Sequence, residues 1–217
     1  MPTSLSIAAG PNGRLYAASR GRVLASEDGG ETWTGIGARG SPPIDHIEPN
    51  PTCAATLHAS GLSSLYRSDD SGRTWTKVHE AGGVIAFLRA SPTSPVTVYA
   101  AFSSIPGDSS PGGLLESRDG GGTYRPAGLE GGDVELLTFS PEDPERLYVQ
   151  VLLEGSESGS GLFRRLGPKG GWRKIAGYSG FSALAAHGGG ILTAERFGVL
   201  WESRDDGESW KRRRAVR

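Results

Sequence analysis

A chain of 217 residues with 36% hydrophobic and 22% charged content can bury one ordinary core, which excludes a disordered polypeptide. Its 34 glycines and 14 prolines, with neither a collagen period nor a long apolar run, call for many short strands joined by tight turns, an all-β protein. A formal net charge of -1 gives no global attraction to nucleic acid or to an anionic membrane, and a single cysteine, Cys53, excludes an intrachain disulfide and a cysteine zinc site. The first residues lack a basic segment followed by an apolar one, and no later run approaches the roughly 20 apolar residues of a membrane span. The expected compartment is therefore cytoplasmic, or the exterior if a leader precedes this sequence.

In chain order, the first predicted element is an inner strand around Ile7 and Ala8, followed by the turn PNG, the strand GRLYAAS and the segment VLASEDGGETW ending at Trp33. A second round runs from Asp45 and His46 through the turn NPTC and ATLHAS to LYRSDDSGRTW, ending at Trp75. The third takes Leu88 and Arg89 through SPTSP and VTVYAAF to LLESRDGGGTY, ending at Tyr124. The fourth passes Glu135, SPEDP and ERLYVQV to LFRRLGPKGGW and Trp172, a decayed copy with Arg165 and Gly167 where the other rounds carry Ser and Asp. The fifth runs through GILTAE to LWESRDDGESW and Trp210. Successive aromatic residues lie 42, 49, 48 and 38 residues apart, which brackets the roughly 40–50 residues of a propeller blade. The expected fold is a single all-β domain over 1–217, a β-propeller of about five blades with four antiparallel strands each. The blades fall at approximately 4–37, 43–80, 84–127, 134–176 and 181–214.

The shared pattern Ser-x-Asp-x-Gly-x-Thr/Ser-aromatic explains its own spacing. An Asp such as Asp70 folds back on backbone N–H groups of the turn between third and fourth strands, and Gly72 supplies a positive φ that a Cβ would penalise. Ser68 and Thr74 add hydroxyl bonds, and Trp75 buries an apolar face. Asp28, Asp70, Asp119 and Asp205 are thus staples rather than catalytic acids.

This repeat resembles the Asp-box, or BNR, repeat of sialidases, and the whole unit is similar to those of photosystem II assembly factors, sortilin-type receptors and xyloglucanases. The resemblance implies the propeller fold, with boxes on the rim away from the ligand face, in enzymes and non-enzymes alike. A sialidase would need an arginine triad, a tyrosine nucleophile with its glutamate, and a Phe-Arg-Ile-Pro segment near the start; that segment is missing. A xyloglucanase would need a second propeller. The photosystem factors carry more blades and an exposed arginine patch, whereas arginines here are scattered apart from KRRR at 211–214.

Candidate ligand residues come from the starts of inner strands and the loops between second and third strands, which should meet at the channel mouth opposite the boxes. Aligned on the turn proline or glycine, Asp45 falls where other blades carry Ile7, Leu88, Leu137 and Leu184, so a carboxylate interrupts an apolar column, as a ligand contact or a partner of a neighbouring arginine. His46 falls in register with Ala8, Arg89 and Thr138, either touching ligand or simply hydrogen-bonded inside the ring. His58 shares the column of Tyr16, Tyr99, Tyr148 and Thr193 and reads as packing with a satisfied ring nitrogen. Glu135, Glu195 and Arg196 complete the set with Arg89. No second histidine stands at metal-ligand spacing, so neither a metal nor a cofactor is expected. The loops after Phe102 and Leu153 are Ser/Gly-rich without aromatic anchors and read as connections, and the basic tail reads as the last outer strand. These residues suit a non-catalytic binding or scaffold module for a protein or carbohydrate ligand, monomeric or packed face to face with copies of itself. The alternative is a glycoside hydrolase whose carboxylates face each other across the mouth.

Overall fold

The computed structural model describes residues 5–19, 21–93, 96–103, 112–153, 156, 159–167, 169–177, 180–188, 190–195 and 198–213. Among these residues there is no helix; twenty strands form five four-stranded antiparallel sheets, each in simple sequence order. The chain divides into two compact units, Met1–Ala127 with three sheets and Gly128–Arg217 with two.

In the first unit, blade 1 comprises β1 (Leu5–Ala9), β2 (Leu15–Ser19), β3 (Arg22–Ser26) and β4 (Thr34–Ile36). Blade 2 comprises β5 (His46–Pro49), β6 (Leu57–Gly61), β7 (Ser64–Ser68) and β8 (Thr76–Glu80). Blade 3 comprises β9 (Val84–Ser91), β10 (Thr97–Ser103), β11 (Gly113–Ser117) and β12 (Arg125–Pro126). The second strands are apolar or small at nearly every position and are covered on both faces, whereas β4, β8 and β12 are largely exposed. One apolar cluster joins Tyr16, Val23 and Ala25 of blade 1 to Ile44, Ile47 and Leu57, and a second joins Leu65 to Ile85, Leu88 and Leu115. Polar latches accompany them. Ser6 Oγ donates to the Ile47 carbonyl (3.4 Å) and accepts its N–H (3.3 Å), and Glu48 Oε1 accepts the Ala90 N–H (3.0 Å).

In the second unit, blade 4 comprises β13 (Asp133–Phe139), β14 (Arg146–Leu152), β15 (Gly161–Leu166) and β16 (Arg173–Gly177). Blade 5 comprises β17 (Phe181–His187), β18 (Gly190–Glu195), β19 (Leu200–Ser203) and β20 (Lys211–Arg213), the last being the expected basic outer strand. Leu147, Tyr148, Val149, Leu162 and Ile191 are buried here. Gln150 Nε2 donates to the Phe181 carbonyl (3.2 Å), a latch between the two sheets.

The four intact turns repeat one hydrogen-bond set. In blade 2, Ser68 Oγ donates to Asp70 (2.8 Å) and accepts the Gly72 N–H (2.8 Å), while the Thr74 N–H (2.9 Å) and hydroxyl (2.6 Å) donate to the Asp70 carboxylate. The sets on Asp28, Asp119 and Asp205 match it. Gly72 has φ 86, and a Cβ there would lie 2.7 Å from Ile36 Cδ1. The decayed turn keeps the frame by other means: Arg165 stands opposite Leu147, as the box serines do elsewhere, with its guanidinium 5.0 Å from the centre of the Trp172 ring.

Register corrects two sequence alignments. Blade 2 carries two prolines near its first turn. Pro49 closes β5 opposite Leu57, and Pro51 is the turn proline. Ile47, opposite Ala59, is therefore the equivalent of Ile7, Leu88, Leu137 and Leu184, so the apolar column is unbroken and Asp45 lies two residues before it. Likewise Glu48, not His46, shares the row of Ala8, Arg89 and Thr138, and Leu192, not Thr193, shares that of His58.

Candidate functional site

Each inner strand runs toward its box, so its first residues sit at the opposite end of the sheet. In blade 2 the Asp45 N–H donates to the Ser60 carbonyl (2.7 Å), and Asp45 Oδ2 accepts the Leu62 N–H (3.1 Å). That bond holds the turn between β6 and β7, where Leu62 has φ 53, a left-handed conformation that costs a branched residue about 1 kcal/mol or more. The Leu62 carbonyl is engaged too, by the Ile85 N–H (2.8 Å). Pinned at both backbone groups, the Leu62 side chain is nevertheless 67% exposed, and Val84, next to Ile85, is 43% exposed. Two aliphatic side chains thus stand out at the end of blades 2 and 3 away from the boxes, beside a carboxylate.

Behind this rim lies a polar row. His46 is half-buried with Nδ1 3.3 Å from Ser60 Oγ. Burial lowers its pKa, and Arg89 lowers it further against the opposing pull of Asp45, which keeps the ring neutral at neutral pH. Burial raises the pKa of Glu48, against the Ala90 N–H and Arg89, which favour its charged form. Arg89 is exposed, donates to the Leu88 carbonyl (2.8 Å) and lies 5.4 Å from the centre of the Phe87 ring. Asp45, His46 and Arg89 are therefore brought into one neighbourhood of the first unit. Sequence reasoning did not find Glu48, which joins them, or Leu62, which Asp45 supports; the leucine inside the turn GLSS was the available signal for the second.

In the second unit, Glu135 and Glu195 also lie at the ends of their sheets away from the boxes. Glu135 sits at a bulge between Val134 and Leu136 and accepts Gln150 Nε2 (2.6 Å). Glu195, opposite Phe181, accepts Trp201 Nε1 (2.9 Å). Arg196, residues 104–111 of the loop after Phe102, and residues 154, 155, 157 and 158 of the loop after Leu153 lie outside the described residues. Among the described residues no group of three His, Cys, Asp or Glu side chains could hold a metal ion, and no helix is long and apolar enough to cross a membrane.

His58, expected to have a satisfied ring nitrogen, has none. It is fully buried, neither nitrogen has a hydrogen-bond partner, and a Cβ on Gly121 of blade 3 would lie 2.5 Å from Nδ1. A smaller ring in a row of tyrosines fits because the facing box carries glycine. Burial first, then Arg67, lower its pKa to about 4 despite Asp69.

No protein-family model matches the sequence, and a search of curated proteins returns no match. Solved structures do match. A GH74 enzyme from Niastella koreensis aligns over 96% of this chain and 38% of its own with TM-score 0.72 and 18% identity. YCF48 bound to a D1 peptide aligns over 95% and 66% with TM-score 0.67 and 20% identity. A nidogen/laminin complex aligns over 92% and 74% with TM-score 0.62 and 13% identity. This chain thus spans 38% and 66% of the first two, and the likeness to all three is one of fold.

Proposed function

We propose that this chain is a non-catalytic binding module whose ligand is a protein segment docking on the rim formed by Leu62, Val84 and Asp45. The carrying observation is Leu62, held in a left-handed conformation by hydrogen bonds to both its backbone groups while its side chain is left 67% exposed. Strain retained to present an aliphatic side chain to water suits an anchor that a partner buries. Arg89 and His46 beside it supply polar contacts around the anchor. Two structures of similar fold were solved with a bound peptide or protein, which supports the reading by analogy.

The hydrolase alternative draws on the likeness to GH74 enzymes. Against it, Asp45, Glu135 and Glu195 each accept a hydrogen bond from a donor of this chain, which gives these carboxylates structural roles as turn, strand and indole partners. A peptide-display library selected on the intact protein tests both readings. Enriched peptides should bind at least tenfold more weakly to Leu62→Ser and unchanged to Leu166→Ser, a control at another exposed leucine, in the second unit. Failure to enrich, or equal binding to both variants, together with release of reducing ends from xyloglucan that is lost in Asp45→Ala or Glu135→Ala, would replace binding with catalysis.

A further inference from the structure

The connection from β4 to β5 borders an open-sided cavity of about 550 Å³ within the first unit. Small residues leave this space. Gly35, Gly37, Ala38 and Gly40 follow one another along its wall, and no side chain larger than alanine comes from these four positions. The wall is also held in place. The Ala38 N–H donates to the Arg73 carbonyl (2.9 Å), the Ser41 hydroxyl and N–H return to the Ala38 carbonyl (2.8 and 3.0 Å), and the Ile44 N–H reaches the Gly21 carbonyl (3.4 Å). Trp75, the box aromatic of blade 2, also lines it.

The charge of the lining is one-sided. Arg22 and Arg39 border this cavity, and Arg73 with Thr74 borders a second one of about 430 Å³ that shares residues 35–38. Neither lining contains an Asp or Glu, and no carboxylate among the described residues pairs with these three exposed arginines. This contrasts with Arg67, Arg118, Arg146, Arg164 and Arg213, each tied to a carboxylate. In a chain of net charge -1, guanidinium groups that no carboxylate of the described residues pairs, bordering two adjoining hollows, make a local positive patch suited to an anion.

We propose that this cavity binds an anionic saccharide. The volume lies within the roughly 300–1,000 Å³ of small-molecule sites and is far larger than a bare inorganic anion needs. Planar guanidinium groups match a carboxylate or sulfate in bidentate fashion, and an indole wall suits the apolar face of a sugar ring. The cavity lining shares no residue with the rim of Leu62, Val84 and Asp45, so the two readings are tested separately.

Calorimetric titration of the full chain tests it with four probes: a uronic-acid oligosaccharide, a sulfated oligosaccharide, a neutral glucan oligosaccharide and inorganic sulfate. One or both acidic oligosaccharides should bind, and which one does identifies the acidic group. The neutral one should not bind, and inorganic sulfate should bind at least tenfold more weakly. Affinity should fall as NaCl is raised. The double variant Arg22→Gln/Arg39→Gln, with an unchanged thermal midpoint, should lose at least tenfold, whereas Leu62→Ser should lose nothing. No binding of either acidic oligosaccharide, equal binding of the neutral one, inorganic sulfate binding as tightly, or undiminished affinity in the double variant would each overturn the proposal.

Discussion

A histidine buried without a partner must be neutral in the folded state. In the unfolded chain His58 takes up its proton near pH 6.5, while in the fold burial and Arg67 delay this to about pH 4. The folded-state pKa is the lower one, so the unfolded state binds more protons between these values, and stability rises with pH across that window. At roughly 1.36 kcal/mol per pKa unit the loss on acidification amounts to roughly 3 kcal/mol, complete below about pH 4. The groups facing the ring are Arg67 and Asp69 of its own sheet and Tyr124 of blade 3. His58→Leu, with the side chain that blade 5 uses in this row, should flatten the dependence of thermal midpoint on pH between 6.5 and 4; a wild-type slope retained in the variant would assign the effect elsewhere. A different acid limb lies lower. Hydrogen bonds from Thr74 and Ser68 hold the Asp70 pKa at about 2, and those from Ser209 and Ser203 hold that of Asp205 at about 2. These carboxylates favour the fold above about pH 4 and lose that effect as pH falls toward 2. Asp70→Ala should therefore lower the midpoint at pH 7 and leave it nearly unchanged at pH 2.

Between elements, the same arginine position closes adjacent sheets in both units. Arg67 of β7 donates to the Gly120 carbonyl in the box of blade 3 (3.0 Å), and Arg164 of β15 donates to the Asp206 carbonyl in the box of blade 5 (2.7 Å). The second clamp is elaborated. Arg164 also reaches Glu208 (2.6 Å), and Asp206 accepts Arg146 (2.9 Å) and the Tyr148 hydroxyl (2.6 Å). Because Arg164 is nearly buried, Arg164→Met should cost about 2 kcal/mol, read as a lower urea midpoint at constant m. Arg204→Met, which removes an exposed partner of Glu202, should stay within about 0.5 kcal/mol. Backbone approach matters as much as charge. A Cβ on Gly61 would overlap the Pro43 carbonyl, so Gly61→Ala should cost about 3 kcal/mol by overpacking, measured the same way. Neither was legible in the sequence: the clamp joins residues from different repeats, and the approach brings the segment before β5 against the end of β6, which no motif marks. The boxes were legible because every donor and acceptor of each turn lies within seven residues. Asp45 was placed in the wrong column because Pro49 and Pro51 are interchangeable as turn markers until the ladder opposite Leu57 is seen.

At the scale of the whole molecule, stability comes from the faces between sheets, and the strands share in it unequally. Second strands are covered by their neighbours on both edges and on both faces: β6 is buried at all five positions and β10 at five of seven. Fourth strands have one paired edge, and all three positions of β20 are exposed. The repeat could be read from sequence because this gradient recurs in every round, apolar and small residues first, then the box, then a polar outer strand. What the rims bind could not, because Leu62, Arg22 and Arg39 are exposed positions on which the repeat imposes no pattern. The gradient makes a prediction for hydrogen exchange of the intact protein. In each unit the slowest amides should belong to β2, β6, β10, β14 and β18, since their release requires separating two ladders and opening two packed faces. Those of β4, β8, β12, β16 and β20 should exchange fastest among strand amides, through local fraying of a single ladder. A fourth strand protected as well as the second strand of its own sheet would mean that something beyond the described residues covers that edge, and it would locate an interface on the outer rim.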